Sequence, residues 1–153
     1  MNRRIFFRAK DIDNNQWVYG SYFPHKRVNL CIASEEEYKA NIQHLIIQDK
    51  PACDWNFDNG MQAIDINPET LGQYTGLEDK NGKMIFEGDI VKGTISSAWG
   101  KGDIVCKVEY NRDGFYCYDK RPRDEGWWEH KLMFAKNIEV IGNVWDNPEL
   151  LGE

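Results

Sequence analysis

Between Ile104 and Tyr110 apolar and polar residues alternate strictly, with Ile104, Cys106 and Val108 on one side and Val105, Lys107 and Glu109 on the other. A period of two is the mark of a half-buried strand. Shorter runs of the same kind recur along the chain. Ile5 to Ala9 and Gln16 to Phe23 flank the turn-forming cluster Asp11-Ile12-Asp13-Asn14-Asn15, which predicts a first hairpin. Val28 to Ala33 and Met61 to Ile66 read as further strands. From Gln73 onward β signals dominate. Gln73 to Leu77 is extended, and the turn Glu78 to Lys83 holds an Asn-Gly pair, a strong hairpin signal. Met84 to Phe86, Asp89 to Ile95, Ile104 to Tyr110, Phe115 to Tyr118 and Ile138 to Val144 complete the strands, with turns at Glu87-Gly88 and at Asn111 to Gly114. Ser96 to Lys101 and Asp119 to Gly126 read as loops.

Two segments point to helix. Ser34 followed by Glu37 forms a capping box, and Tyr38, Ile42 and Leu45 fall at helical spacing, although Ile46 and Ile47 suit a strand. Pro68-Glu69-Thr70, with Asn67 before it as cap, predicts one helical turn. Asp49 to Gly60 has loop composition. The resulting class is mainly β, an α+β chain with one or two short helices. Two regions follow: residues 1–72, an N-terminal β/α subdomain with an insert, and residues 73–153, whose short meandering strands are compatible with a small SH3-like β-barrel. Gly88-Asp89-Ile90-Val91 recurs as Gly102-Asp103-Ile104-Val105, which reads as two similar strand starts.

Composition narrows the function classes. The 153 residues are 41% hydrophobic, enough for a core, and 13% aromatic, with six Trp and seven Tyr. The net charge of -6 lacks the basic excess by which proteins release counterions from duplex DNA. The densest basic stretch, Lys120 to Arg123, is flanked by Asp119, Asp124 and Glu125 and reads as a solvated loop. Arg8 interrupts the apolar start well short of a signal sequence, and no run is long enough to span a membrane, so a cytoplasmic protein is expected. Cys31, Cys53, Cys106 and Cys117 form no C-x-x-C pair, so four free thiols are expected, with neither metal nor cofactor.

No nucleophile elbow, phosphate loop, dinucleotide fingerprint or zinc-protease motif is present. The carboxylates Glu78, Asp79, Glu87 and Asp89 are dense enough to suggest acid–base or cation chemistry, but turn and strand-entry positions favour structural roles. His25, His44 and His130 lack sequence-local partners. Arg112, Tyr116, Tyr118, Arg121, Arg123, Trp127 and Trp128 interleave rings with cations, the pattern that stacks single-stranded nucleic acid; the alternative is that these rings fill a core or a subunit interface. Adjacent Trp127 and Trp128 on a strand cannot both face inward.

Residues 70–93 contain Gln73-Tyr74-Thr75-Gly76-Leu77, Asp79, Gly82 and Ile85-Phe86-Glu87-Gly88-Asp89-Ile90-Val91. This block resembles the signature of the YopX-like family of phage and prophage proteins, Q-Y-T-G-L-x-D-x-x-G-x-x-I-Y/F-E-G-D-I-V/L. The ending, Glu139 to Leu151, with Gly142, Asn143, Asn147 and Pro148, resembles the family's closing motif. Phe7-Arg8-Ala9-Lys10 resembles its opening one. Residues 24–60 and 94–135 match neither. The resemblance implies a phage-associated accessory protein that self-associates and brings no catalytic residue set. It acts by binding itself or a host or phage protein; a nucleic-acid module built on residues 112–128 and a small hydrolase built on carboxylates 78–89 are the alternatives. Physically, Gly76, Gly82 and Gly88 would free the backbone at three turns, and Tyr74, Leu77, Ile85, Phe86, Ile90 and Val91 would supply core.

Overall fold

The computed structural model describes residues 5–26, 42–49, 60–97, 100–120 and 127–152. Ten strands and two short 3-10 turns account for nearly all of them: β1 Phe7–Asp11, β2 Trp17–Lys26, β3 Ile42–Asp49, β4 Met61–Glu78, β5 Met84–Phe86, β6 Asp89–Ser97, β7 Gly100–Asn111, β8 Gly114–Lys120, β9 Trp127–Lys131 and β10 Lys136–Asn143, with turns at Leu132–Phe134 and Pro148–Leu151. The mainly β class holds. The chain divides into two compact units, Ile5–Gly72 and Gln73–Glu153.

In the first unit β1 and β2 form the expected antiparallel hairpin, Phe7 opposite Gly20 and Lys10 opposite Trp17. The Asp11 carboxylate builds the connecting turn by accepting from Asp13 N–H and the Asn14 amide. The outer half of β2 then pairs with β3, β3 pairs with β4, and β4 returns to β1. These ladders form a closed circuit around Ala9, Ile46 and Ile66, with Phe7, Val18, Tyr22 and Leu71 packed against them. Closure brings backbones close. A Cβ on Gly20 would lie 2.2 Å from the Ile47 carbonyl oxygen, so only glycine fits where β2 leaves β1 for β3.

The described parts of both segments expected to be helical are strand. Ile42 and Leu45 lie on strand β3, not on a helix, because β3 is hydrogen-bonded on both sides and each of its residues pairs with β2, β4 or both. The capping box at Ser34–Glu37 lies outside the described residues, as does Val28 to Ala33. Pro68-Glu69-Thr70 is part of strand β4. Asn67 does accept from Glu69 N–H through its side chain, as a cap would. The Thr70 hydroxyl, however, accepts from Lys10 N–H of β1 at 2.8 Å, which ties the segment into the sheet.

In the second unit β6, β7, β8 and β9 form a meander, and β10 returns beside β6, giving the order β10-β6-β7-β8-β9. Among the described residues its ladders leave β10 and β9 as the two ends, so the expected barrel closure of this half is not among them. The core is the inward side of this sheet: Val91, Ile95, Ile104, Cys106, Val108 and Cys117, with Ile85, Leu132 and Ile138. The alternation in β7 is as expected, with Ile104, Cys106 and Val108 at most 3% exposed. Cys106 and Cys117 are buried thiols. The expected loop Ser96 to Lys101 is narrower in the structure, since β6 and β7 pair out to Ser97 opposite Gly100. The repeated tetrapeptides differ in role: Asp89 opens β6 and is buried, whereas Asp103 lies inside β7 and is exposed.

Candidate functional site

The signature residues converge on the turns that join β4, β5 and β6 and on the end of β10. Asp79 is the centre of the first turn. Its side chain is 7% exposed. Oδ1 accepts from Asn81 N–H at 2.7 Å and Lys83 N–H at 3.0 Å, while Oδ2 accepts from Val140 N–H of β10 at 3.1 Å, 61 residues away. Burial pushes this carboxyl up, but the three backbone N–H groups and the Asn81 side chain outweigh it and hold it below the ordinary 3.8. Lys80 N–H donates to the Ile138 carbonyl at 2.8 Å. The turn therefore covers the outer edge of β10, where unpaired backbone groups would otherwise face solvent. Beside it, Glu139 holds Lys80 at 2.6 Å and Lys92 at 3.0 Å, and these two ammonium groups keep its carboxyl low.

Thr75 and the glycines set the adjoining geometry. The Thr75 hydroxyl donates to the Ile85 carbonyl and accepts from Leu77 N–H. Tyr74 pairs with Phe86, their rings 5.6 Å apart, and burial followed by the nearby Glu78 carboxylate raises the Tyr74 hydroxyl above its ordinary value. Gln73 accepts from Glu87 N–H. Asp89 is buried and accepts from Phe86 N–H at 2.8 Å, closing the Glu87-Gly88 turn. Gly76, Gly82 and Gly88 all have φ near +80°, a left-handed conformation that glycine adopts freely. Gly88 also lies under the Trp145 ring, 2.2 Å from where a Cβ would stand. Ile85, Phe86, Ile90 and Val91 are buried, whereas Leu77 is 37% exposed and only partly serves the core role expected of it.

The closing motif makes a dense set of local contacts. Asn143 accepts from Trp145 N–H and Asp146 N–H through one side-chain oxygen and donates to the Asp146 carboxylate. Asn147 and Leu150 crowd Gly142, leaving no room for a Cβ there. Pro148 opens the final 3-10 turn. What the sequence did not reveal is the partnership between distant blocks, Asp79 with Val140 and Gly88 with Trp145. The only hint was that both blocks belong to the signature.

Asp79 and Asp89 serve backbone N–H groups, Glu87 accepts from Tyr110 N–H, and Glu78 is exposed in register with Met84. Among the described residues no three His, Cys, Asp or Glu side chains come together as a metal site. His44 Nδ1 meets the Tyr22 hydroxyl at 2.6 Å, His25 stacks on Phe23, and half-buried His130 faces Cys117 across the β8–β9 ladder. Burial raises the Tyr22 hydroxyl above its ordinary value.

The ring-and-cation stretch divides. Arg112 is exposed at the β7–β8 turn with φ +50°. Tyr116 is 8% exposed; its hydroxyl donates to Asp113 at 2.6 Å, and Lys131 bonds the same carboxylate at 2.6 Å while sitting 5.8 Å over the ring. Lys131 and Tyr116 together hold the Asp113 carboxyl down to about 2. Tyr118 is half-buried and accepts from the Asn111 amide. Arg121 and Arg123 lie outside the described residues, and Trp127 and Trp128 are described only as backbone of β9. A shallow depression of about 350 Å³ on the outer side of β6 and β7 is lined by Lys92, Thr94, Asp103, Val105 and Asn137, among others. No helix among the described residues is long and apolar enough to cross a membrane.

The chain is similar to a crystal structure of protein EF1440 from Enterococcus faecalis, with 23% identity, a TM-score of 0.47, and 97% of this chain and 98% of that chain covered. No curated protein matches it. The model of the YopX protein family matches residues 6–152, nearly the whole length. The same span holds the opening, central and closing motifs, of which the central and closing ones meet at Asp79 and Gly88, and the chain belongs to the YopX protein family.

Proposed function

We propose that this protein is a phage or prophage accessory protein that works in the bacterial cytoplasm by binding, as a homo-oligomer, and not by catalysis. The observation that carries this reading is the turn Leu132–Phe134. Leu132 is 1% exposed and anchors the turn in the core, while Met133 and Phe134 project at 68% and 62% exposure. Adjacent large apolar groups on an anchored turn are what a protein contact buries. The signature residues support the same reading, since their polar groups are spent on the fold's own backbone. The acidic charge and the buried Tyr116 weigh against a nucleic-acid role.

The test is light scattering on the wild type and on the double variant Met133→Ser, Phe134→Ser, followed by a nuclease-treated pull-down from bacterial lysate with both. The expected wild-type mass is a multiple of 17.9 kDa, falling to the single-chain value in the variant. A monomeric wild type whose captured proteins are unchanged by the double variant would overturn the proposal.

A further inference from the structure

Asn81 and Gly82 occupy the exposed tip of the Asp79 turn. An Asn-Gly pair has a chemistry of its own, because glycine lacks the Cβ that would shield its backbone nitrogen from the neighbouring carboxamide. The Gly82 nitrogen attacks Asn81 Cγ and a C–N bond forms. The carboxamide C–N bond breaks and ammonia leaves, taking up the proton from the Gly82 nitrogen. Water then opens the cyclic imide at either carbonyl to give aspartate or isoaspartate. The net change consumes one water and releases one ammonia.

The backbone N–H groups of both residues are engaged in the fold. Gly82 N–H donates to the Asp79 carbonyl at 3.0 Å. The Asn81 backbone N–H donates to the Asp79 carboxylate at 2.7 Å, and the same carboxylate holds Lys83 N–H and Val140 N–H, so the turn around the pair is fixed from both sides. Attack requires these bonds to open, and local opening has its own free energy. We propose that Asn81 is a deamidation site latched by the Asp79 turn, and that its conversion to aspartate or isoaspartate irreversibly loosens the turn's hold on β10. The product replaces a neutral amide with a second carboxylate two residues from Asp79 in the same tight turn, and neighbouring like charges repel. Isoaspartate also lengthens the backbone between Asn81 and Lys83, whose N–H groups share one carboxylate oxygen of Asp79.

Full-length protein is incubated at mildly alkaline pH, folded and in denaturant, and residue 81 is followed by peptide mass mapping that separates isoaspartate. Conversion in the folded wild type is expected to be at least ~10-fold slower than in the denatured chain, the ratio given by about 1.4 kcal/mol of opening free energy. Equal rates in the two states overturn the latch, and no conversion in the denatured chain overturns the site. Asn81→Asp, compared with Asn81→Gln, which keeps an amide but cyclises far less readily, isolates the product's effect. The Asp variant is expected to unfold at lower denaturant; equal midpoints overturn the loosening.

Discussion

Replacing Asp79 with alanine removes the acceptor for three backbone donors at once. Asn81 and Lys83 are exposed, so water can take over their N–H groups and each lost bond costs about 1 kcal/mol. Val140 lies in a half-buried strand, and its N–H loses its partner with less help from water, at about 1–3 kcal/mol. The sum is about 3–5 kcal/mol, a large share of the ~5–15 kcal/mol that holds a typical domain together. Asp79→Asn keeps one acceptor and turns an NH2 toward Val140 N–H, so its loss should fall between wild type and alanine. Urea unfolding followed by exchange of the β7 amides reads the C-terminal unit itself. Because folding depresses the carboxyl below 3.8, its stabilisation is complete above that pH and fades as pH falls through the folded value. The gap between wild type and alanine variant should therefore be widest near neutral pH and shrink below about pH 4. A gap under ~0.5 kcal/mol at neutral pH would refute the claim that this carboxylate holds the turn to β10.

Gly82→Ala and Gly88→Ala place alanine at nearly the same left-handed φ, but only the second meets a neighbour, the Trp145 ring. The first should lose about 1–2 kcal/mol and the second distinctly more, with displacement of Trp145, as read by denaturation and fluorescence. Gly20→Ala should unpair β2 from β3 at a cost of more than ~3 kcal/mol, because the obstacle is the Ile47 backbone; retention of the wild-type midpoint would contradict the close approach. Carbon-detected titration should find the Asp113 carboxyl near 2, and Lys131→Ala should move it up toward 3.8; an unmoved value would mean that Lys131 does not hold it.

Local information was legible in the sequence where local rules decide the structure. The alternation from Ile104 to Glu109, the turns at Asn81-Gly82 and Asn111 to Gly114, and the left-handed glycines 76, 82 and 88 all appear in the fold. Ile42 and Leu45 show where local rules fail: their spacing suits a helix, but two neighbouring strands satisfy β3's backbone on both sides. Asn67 made the local bond of a cap, yet the Thr70 hydroxyl tied the segment to β1. The signature block was visible as turns and core, but Val140 donating to Asp79 and Trp145 covering Gly88 are long-range pairings that no window along the chain contains.

The covered edge of β10 has a further consequence for growth of the second sheet. A ribbon that can add strands at both ends elongates without limit, as fibrils do, whereas one with a single available end is a terminating unit. With Lys80 N–H and the Asp79 carboxylate occupying Ile138 and Val140, the β10 end of this sheet is closed to strand addition, and among the described residues β9 is its other end. Two copies that joined edge to edge through β9 would present a capped β10 at either extremity, and growth by that route would stop at two.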